Sequence, residues 1–283
     1  VTSAAIQPKT GVVSFRVRIS TPLGGACAGA LMCAVCGCSS DLLLAKWACR
    51  QSNTSDAGSD AGWRQFQFPW STGFETDFCE YLESNGACYD PNDASRSIVE
   101  APVHSGHYAA AFSVIGDASR DPESIQARCH RNGELPREAY YGAWYYVPAL
   151  ARNLATWNLF HFQGGDSPAF SDLEDFWDVS LVNNDAGDLR LTVFNFKGGS
   201  PDSSAAPAIP IGSWFHIEFY LKRAADETGA VALYQNGTLI AQATNIRTGD
   251  TPYGQWYVGN YATGLDPVES TVYVDDVTIR SER

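Results

Sequence analysis

The chain has 283 residues, a net charge of −13, abundant aromatic residues and glycine, and a single methionine. The negative field argues against nucleic acid, whose phosphates must be met by cationic side chains, and the composition favours strands and turns over helices. Five of the 19 basic and three of the 32 acidic residues fall within residues 1–62, so residues 63–283 carry a net −15, which repels densely sulfated polymers and suits neutral or weakly acidic glycans.

At the N-terminal end, Arg16 and Arg18 precede an uncharged apolar stretch, residues 19–38, the pattern of an export signal. It ends Val35-Cys36-Gly37-Cys38, which resembles a bacterial lipobox and makes Cys38 the expected lipid anchor; a cleaved signal without lipid, or a short membrane span, is the alternative. Residues 39–62 are expected to form a flexible polar tether, because the SDAG unit occurs twice in RQSNTSDAGSDAG (50–62) with no large apolar residue. The expected organisation is a signal segment (1–38), a tether (39–62) and one globular domain (63–283). The setting is extracytoplasmic: a surface or periplasmic lipoprotein that meets the membrane only through its anchor, or a secreted protein. A monomer is expected. Cys79, Cys88 and Cys129 fit an oxidising compartment. Cys79–Cys88, flanking ESNGA, is the first pairing considered, with Cys129 bonded to either as the alternatives.

The domain reads as strands. Period-two alternation is clearest in Trp214–Lys222, with Phe215, Ile217, Phe219 and Leu221 on one face and Trp214, His216, Glu218, Tyr220 and Lys222 on the other. In VALYQNGTLIAQ, Asn236-Gly237 sits between two apolar runs and predicts a tight hairpin, since both residues tolerate positive φ. Further strands are expected at 140–147, 157–163, 177–182, 189–196, 255–261 and 270–279, separated by Gly, Pro, Asp and Ser. The expected fold is all-β, a two-sheet antiparallel sandwich of the jelly-roll type.

Alternation also selects candidate site residues. In 125–130 the apolar set is Ile125, Ala127 and Cys129, and Gln126, Arg128 and His130 share the other face. In 157–163, Phe160 and Phe162 share one face, while His161 and Gln163 share the other with Trp157 and Leu159. Each strand thus offers a histidine beside another polar group on a non-core face. If the two strands lie in one sheet these groups meet; otherwise each is a solvated strand residue. In the last strand, Val272 and Val274 are out of step with Val277 and Ile279, which predicts a β-bulge at Asp275-Asp276. Adjacent carboxylates there suit Ca²⁺, a hard cation, or serve as an acidic guard on an edge strand.

The segments ARCHRNGELPREAYYGAWYYVP, WNLFHFQGG, GSWFHIEFYLKRAADETGAVALYQNG and YVDDVTI resemble the concanavalin A-like jelly-roll polysaccharide lyases of the heparin lyase I and glucuronan lyase type, over roughly residues 70–280. That family carries Arg-x-Glu, Gln-x-His and Tyr-x-Lys-x-Gly-x-Tyr strands. Arg128-Cys129-His130 keeps the Arg, with His130 where Glu is expected. His161-Phe162-Gln163 has the second pair in reversed order. Residues 255–261 keep Gly259 and Tyr261, with Tyr257 in place of Lys. Separately, GFETD (73–77), HSGHYAAAF (104–112) and VYVDDV (272–277) resemble elements of carbohydrate-binding β-sandwich modules, which implies Glu75 and Asp276 as ligands of a structural Ca²⁺.

The resemblance implies β-elimination on a uronate-containing extracellular polysaccharide. The proton beside the uronate carboxylate is removed and the 4-linked sugar is expelled. Arg128 and Gln163 are the expected carboxylate ligands, His161 or His130 the base and Tyr261 the acid. Gln126, Trp144, Lys197, Trp256 and Tyr257 are the further substrate-binding candidates. The alternative is a non-catalytic glycan-binding lipoprotein, in which Trp144, Tyr146, Trp214, Tyr220, Trp256 and Tyr261 stack on sugar rings. Hydrolysis requires two carboxylates flanking one bond. Glu174, Asp175 and Asp178 are close in sequence, but they read as a loop entering a strand.

Overall fold

The computed structural model describes residues 68–83, 86–91, 93–117, 119, 125–166, 174–195 and 199–283. The expected signal segment, Cys38, the tether and Lys197 lie outside the described residues. In chain order the elements are β1 (Trp70–Thr72), α1 (Cys79–Glu83), β2 (Gly86–Tyr89), β3 (Ala94–Val99), β4 (Ala109–Ile115), β5 (Gln126–Gly133), β6 (Glu138–Tyr146) and β7 (Arg152–Gly165). They continue with β8 (Glu174–Asn183), β9 (Leu189–Asn195), β10 (Trp214–Lys222), β11 (Gly229–Gln235), β12 (Thr238–Ile246), β13 (Tyr253–Asp266) and β14 (Glu269–Arg280). Among the described residues no helix is long and apolar enough to cross a membrane.

Two antiparallel sheets make a jelly-roll sandwich. One runs β12-β11-β10-β6-β14-β4-β3, with β1 added to β14; the other runs β2-β5-β13-β7-β8-β9. The core lies between them. On β10, Phe215, Ile217, Phe219 and Leu221 point inward as the alternation predicts, and burying each such side chain contributes about 1.5–3 kcal/mol. Facing them from the second sheet are Phe160, Phe162, Trp177 and Trp256; Phe162 and Trp177 both contact the Phe219 ring. The β11–β12 hairpin turns at Asn236-Gly237, both with positive φ (50° and 80°).

The predicted bulge is present. The pairing of β14 with β6 shifts between Asp275 and Thr278, and Asp276 has φ 46°. The extra residue lets Val272, Val274, Val277 and Ile279 all enter the core. A second parity change was not legible in the sequence. The pairing of β7 with β8 shifts between Asn158 and Phe160. This turns Trp157 inward, where its Nε1–H donates to the buried Asn260 Oδ1 at 2.9 Å, and leaves Asn158 on the face of His161. The expected grouping of Trp157 and Leu159 with His161 is thereby corrected.

The first-considered disulfide is also corrected. Cys88 is bonded to Cys129, not to Cys79. β2 lies antiparallel on β5 with Cys88 directly opposite Cys129, so sheet register brings the thiols together, while Cys79 sits on α1 and is itself disulfide-bonded.

Candidate functional site

The outer face of the six-stranded sheet carries a continuous polar row. Strand register sets His130 of β5 opposite Tyr257 of β13, Tyr257 opposite His161 of β7, His161 opposite Asp178 of β8, and Asp178 opposite Phe194 of β9. Flanking rows place Tyr89 beside Arg128 and Gly259, and Gln163 beside Gln255. The two histidine-bearing strands therefore lie in one sheet, separated only by β13, and the groups singled out on them converge.

His161 is nearly buried and held from both sides. Its Nδ1 lies 2.6 Å from Asp178 Oδ1, and its Nε2 lies 3.2 Å from Gln163 Oε1. The other Asp178 oxygen accepts from Asn158 Nδ2 at 3.0 Å, and Asn158 Oδ1 in turn accepts from Ser180 Oγ at 2.8 Å. A carboxylate fixed in this way selects the Nδ1–H tautomer of the imidazole. Gln163 Nε2 donates to the Tyr257 hydroxyl at 2.9 Å, and Gln255 accepts from both Gln163 and Tyr257.

Arg128 lies over Gly259, flanked by three phenol rings. Its guanidinium carbon is 4.3 Å from the Tyr257 ring centroid, 5.2 Å from Tyr261 and 5.6 Å from Tyr89. Its Nη2 donates to the Tyr89 hydroxyl at 2.8 Å, and that hydroxyl is 3.4 Å from Gln126 Oε1. The residue is only 9% exposed, its Nε has no hydrogen-bond partner, and no carboxylate among the described residues pairs with it. A cation stripped of most of its water and lacking a counter-charge is a ready receptor for an anion. Gly259 makes the arrangement possible: at φ 147°, an added Cβ would stand 2.3 Å from Ala127 O and 3.1 Å from Arg128 Cγ.

His130 packs against the Tyr257 and Tyr89 rings, with centroids 4.9 and 5.7 Å away, and its Nδ1 is buried without a partner. Burial, and secondarily the charge of Arg128, depress its pKa to about 4, so it is neutral at neutral pH. Burial raises the Tyr257 phenol well above its ordinary range.

The structure thus assembles Gln126, Arg128, His130, His161, Gln163, Tyr257 and Tyr261. It separates two other candidates from them. Trp256 is fully buried and packs against Tyr141, Phe160 and Phe162, because alternation along β13 sends Gln255 and Tyr257 outward and Trp256 in. Trp144 belongs to β6 in the opposite sheet, where the His104 ring stacks on it at 3.7 Å. Sequence reasoning missed Tyr89, Asn158 and Gln255 altogether. It weighed Asp178 only for hydrolysis, although Trp177-Asp178-Val179-Ser180-Leu181 alternates cleanly and turns Asp178 towards the polar face.

The implied calcium ligands lie in another neighbourhood. Glu75 Oε1 accepts the backbone N–H groups of His107 and Tyr108 at 2.9 and 3.2 Å. Asp276 holds His104 Nδ1 at 2.6 Å and accepts from Ser105 Oγ at 2.8 Å, while Asp275 accepts the backbone N–H groups of both. The chain's own donors occupy these oxygens, and no group of three His, Cys, Asp or Glu side chains able to hold a metal is gathered among the described residues.

Fold and site together make a jelly-roll sandwich with a histidine–tyrosine row, and Arg128 beside it, on one outer face. The comparisons agree on the fold. The chain is similar to the endo-β-1,4-glucuronan lyase of the fungus Trichoderma reesei (14% identity, TM-score 0.53, covering 75% of this chain and 95% of that one). It is similar to the cellulose-induced protein Cip1 (14%, 0.52, 76% and 98%) and to a PL-14 alginate lyase from Aplysia kurodai (12%, 0.52, 75% and 98%). No protein-family model matches the sequence, and no curated protein matches it.

Proposed function

We propose that the protein is an extracytoplasmic lyase that cleaves a uronate-containing polysaccharide by β-elimination. The observation that carries this reading is Arg128, a nearly buried cation without a carboxylate partner among the described residues, set one strand from a phenol that lies between two imidazoles. The uronate carboxylate docks on Arg128, which withdraws charge from the adjacent carbon and stabilises the enolate formed when its proton leaves. His161, oriented by Asp178 through Nδ1–H, takes that proton on Nε2 as the Gln163 carbonyl, which faces Nε2 at 3.2 Å in the free protein, turns away to make room for substrate, and the imidazolium so formed is stabilised by the same carboxylate. The electron pair closes the new carbon–carbon double bond as the bond to the 4-oxygen breaks. Tyr257, kept protonated by burial, donates to the departing oxygen; Tyr261 flanks Arg128. His130 is too weak a base for the first step, and as a neutral ring it offers a hydrogen bond to the substrate. The disulfide supports an oxidising compartment. Structural Ca²⁺ beside Glu75 and Asp276 is a separate proposal: it requires His104 and Ser105 to release Asp276, and calorimetric titration with Ca²⁺ reads it.

Mass spectrometry of products from a panel of uronate polymers tests the reaction class. Elimination yields fragments one water lighter than those of hydrolysis. Fragments of hydrolytic mass would contradict the proposal. Tight binding with no fragments would favour the glycan-binding reading, towards which Tyr257, standing where the lyase motif has Lys, already points.

A further inference from the structure

Phe194 stands at the far end of the polar row. It lies directly opposite Asp178 and shares the outer face of β9 with Arg190 and Thr192. At 47% it is one of the few large apolar side chains left exposed among the described residues, whereas the inward-facing Leu191 and Val193 are buried. Within the proposed site it is the apolar member of a row otherwise made of His130, Tyr257, His161 and Asp178. The order β5-β13-β7-β8-β9 puts it four strand intervals from Arg128, about 19 Å at the usual spacing of neighbouring strands.

We propose that Phe194 is a stacking subsite for a pyranose ring, so that the polysaccharide crosses the strands with a uronate carboxylate on Arg128 and a more distant sugar on Phe194. A sugar ring has an apolar C–H face that a flat aromatic surface covers, with its hydroxyls left at the rim in water. The residue next to Phe194 on this face is the carboxylate Asp178, already bonded to His161 and Asn158, so the ring offers shape and apolar area without charge. The subsite therefore accepts any pyranose, acidic or neutral, and its contribution grows with chain length. This inference rests on the proposed function, since Arg128 supplies the other end of the span.

The test is calorimetric titration of uronate di-, tetra- and hexasaccharides. It uses the His161→Ala protein, to keep the ligands intact, and the same protein carrying Phe194→Ala or Phe194→Tyr. Affinity is expected to rise from the disaccharide to the longer ligands. Phe194→Ala should remove roughly tenfold of that rise while leaving disaccharide binding unchanged, and Phe194→Tyr should retain it. Phe194 is half exposed, so a thermal melt of Phe194→Ala is expected to match its parent. An undiminished rise in Phe194→Ala overturns the subsite and leaves the proposed function standing. If no oligosaccharide of any length binds and the wild type neither binds nor cleaves the polymer, the proposed function and the subsite fall together.

Discussion

His161 Nδ1 lies 2.6 Å from Asp178 Oδ1 across the β7–β8 pair, both side chains nearly buried. The pairing gives the imidazole one orientation and leaves Nε2 facing Gln163. In the proposed reaction Asp178 is a positioning residue and His161 the base. Asp178→Asn is expected to lower kcat by about 10²-fold or more, with a smaller change in KM, because it removes the acceptor that fixes the tautomer. An Asp178→Asn enzyme with unchanged kcat, or one whose loss lies in KM alone, would contradict this role.

Arg128 is expected to govern both affinity and rate. Arg128→Gln removes the charge but keeps a hydrogen-bonding group, and should lower kcat/KM by roughly 10²-fold. Because Arg128 has no carboxylate partner to strand among the described residues, its loss should leave the melting temperature close to that of the parent. A large fall in stability with intact activity would mark Arg128 as structural.

Gly259 is expected to be intolerant of any side chain. In Gly259→Ala the new Cβ meets Ala127 O and Arg128 Cα at 2.3 and 2.7 Å, in a backbone conformation that L-residues avoid. A destabilisation of about 1–3 kcal/mol is expected in chemical denaturation, with a further loss of activity as Arg128 is displaced.

His130 links stability to pH. Its folded pKa, about 4, is below the unfolded value of 6.5. Between those values the unfolded chain binds the proton more readily, so this group's contribution is full above pH 6.5 and is lost as pH falls towards 4. Arg128 is the charge that adds to burial here, and the Tyr89 and Tyr257 rings pack against His130. His130→Gln is expected to flatten the fall in melting temperature across that window. A wild-type and variant that decline in parallel would contradict the assignment.

Much of the sandwich was legible because short-range alternation reports burial directly. β10, the Asn236-Gly237 hairpin and the bulge at Asp275-Asp276 each follow from residue order alone. The same rule placed Arg128, His130, His161 and Gln163 on non-core faces. It failed where pairing between distant strands decides. The parity change at Asn158–Phe160 depends on how β7 meets β8, and it moved Trp157 inward. The Cys88–Cys129 bond follows from the register of β2 on β5, which residue spacing does not encode. Trp256 and Trp144 were chosen for chemical type rather than parity or sheet membership. The alternation of Leu189-Arg190-Leu191-Thr192-Val193-Phe194 puts Phe194 on the polar face, but that Asp178 lies beside it follows only from the pairing of β8 with β9.

The central claim is that His161 removes a proton from a uronate held on this face. It is tested most directly by following the ultraviolet absorbance of the unsaturated uronate product with the wild-type and His161→Ala proteins side by side, on a polymer that both bind. The account predicts a steady rise with the wild type and a rate at least about 10²-fold lower with the variant. Equal rates in the two proteins, or binding by both with no absorbance from either, would contradict it.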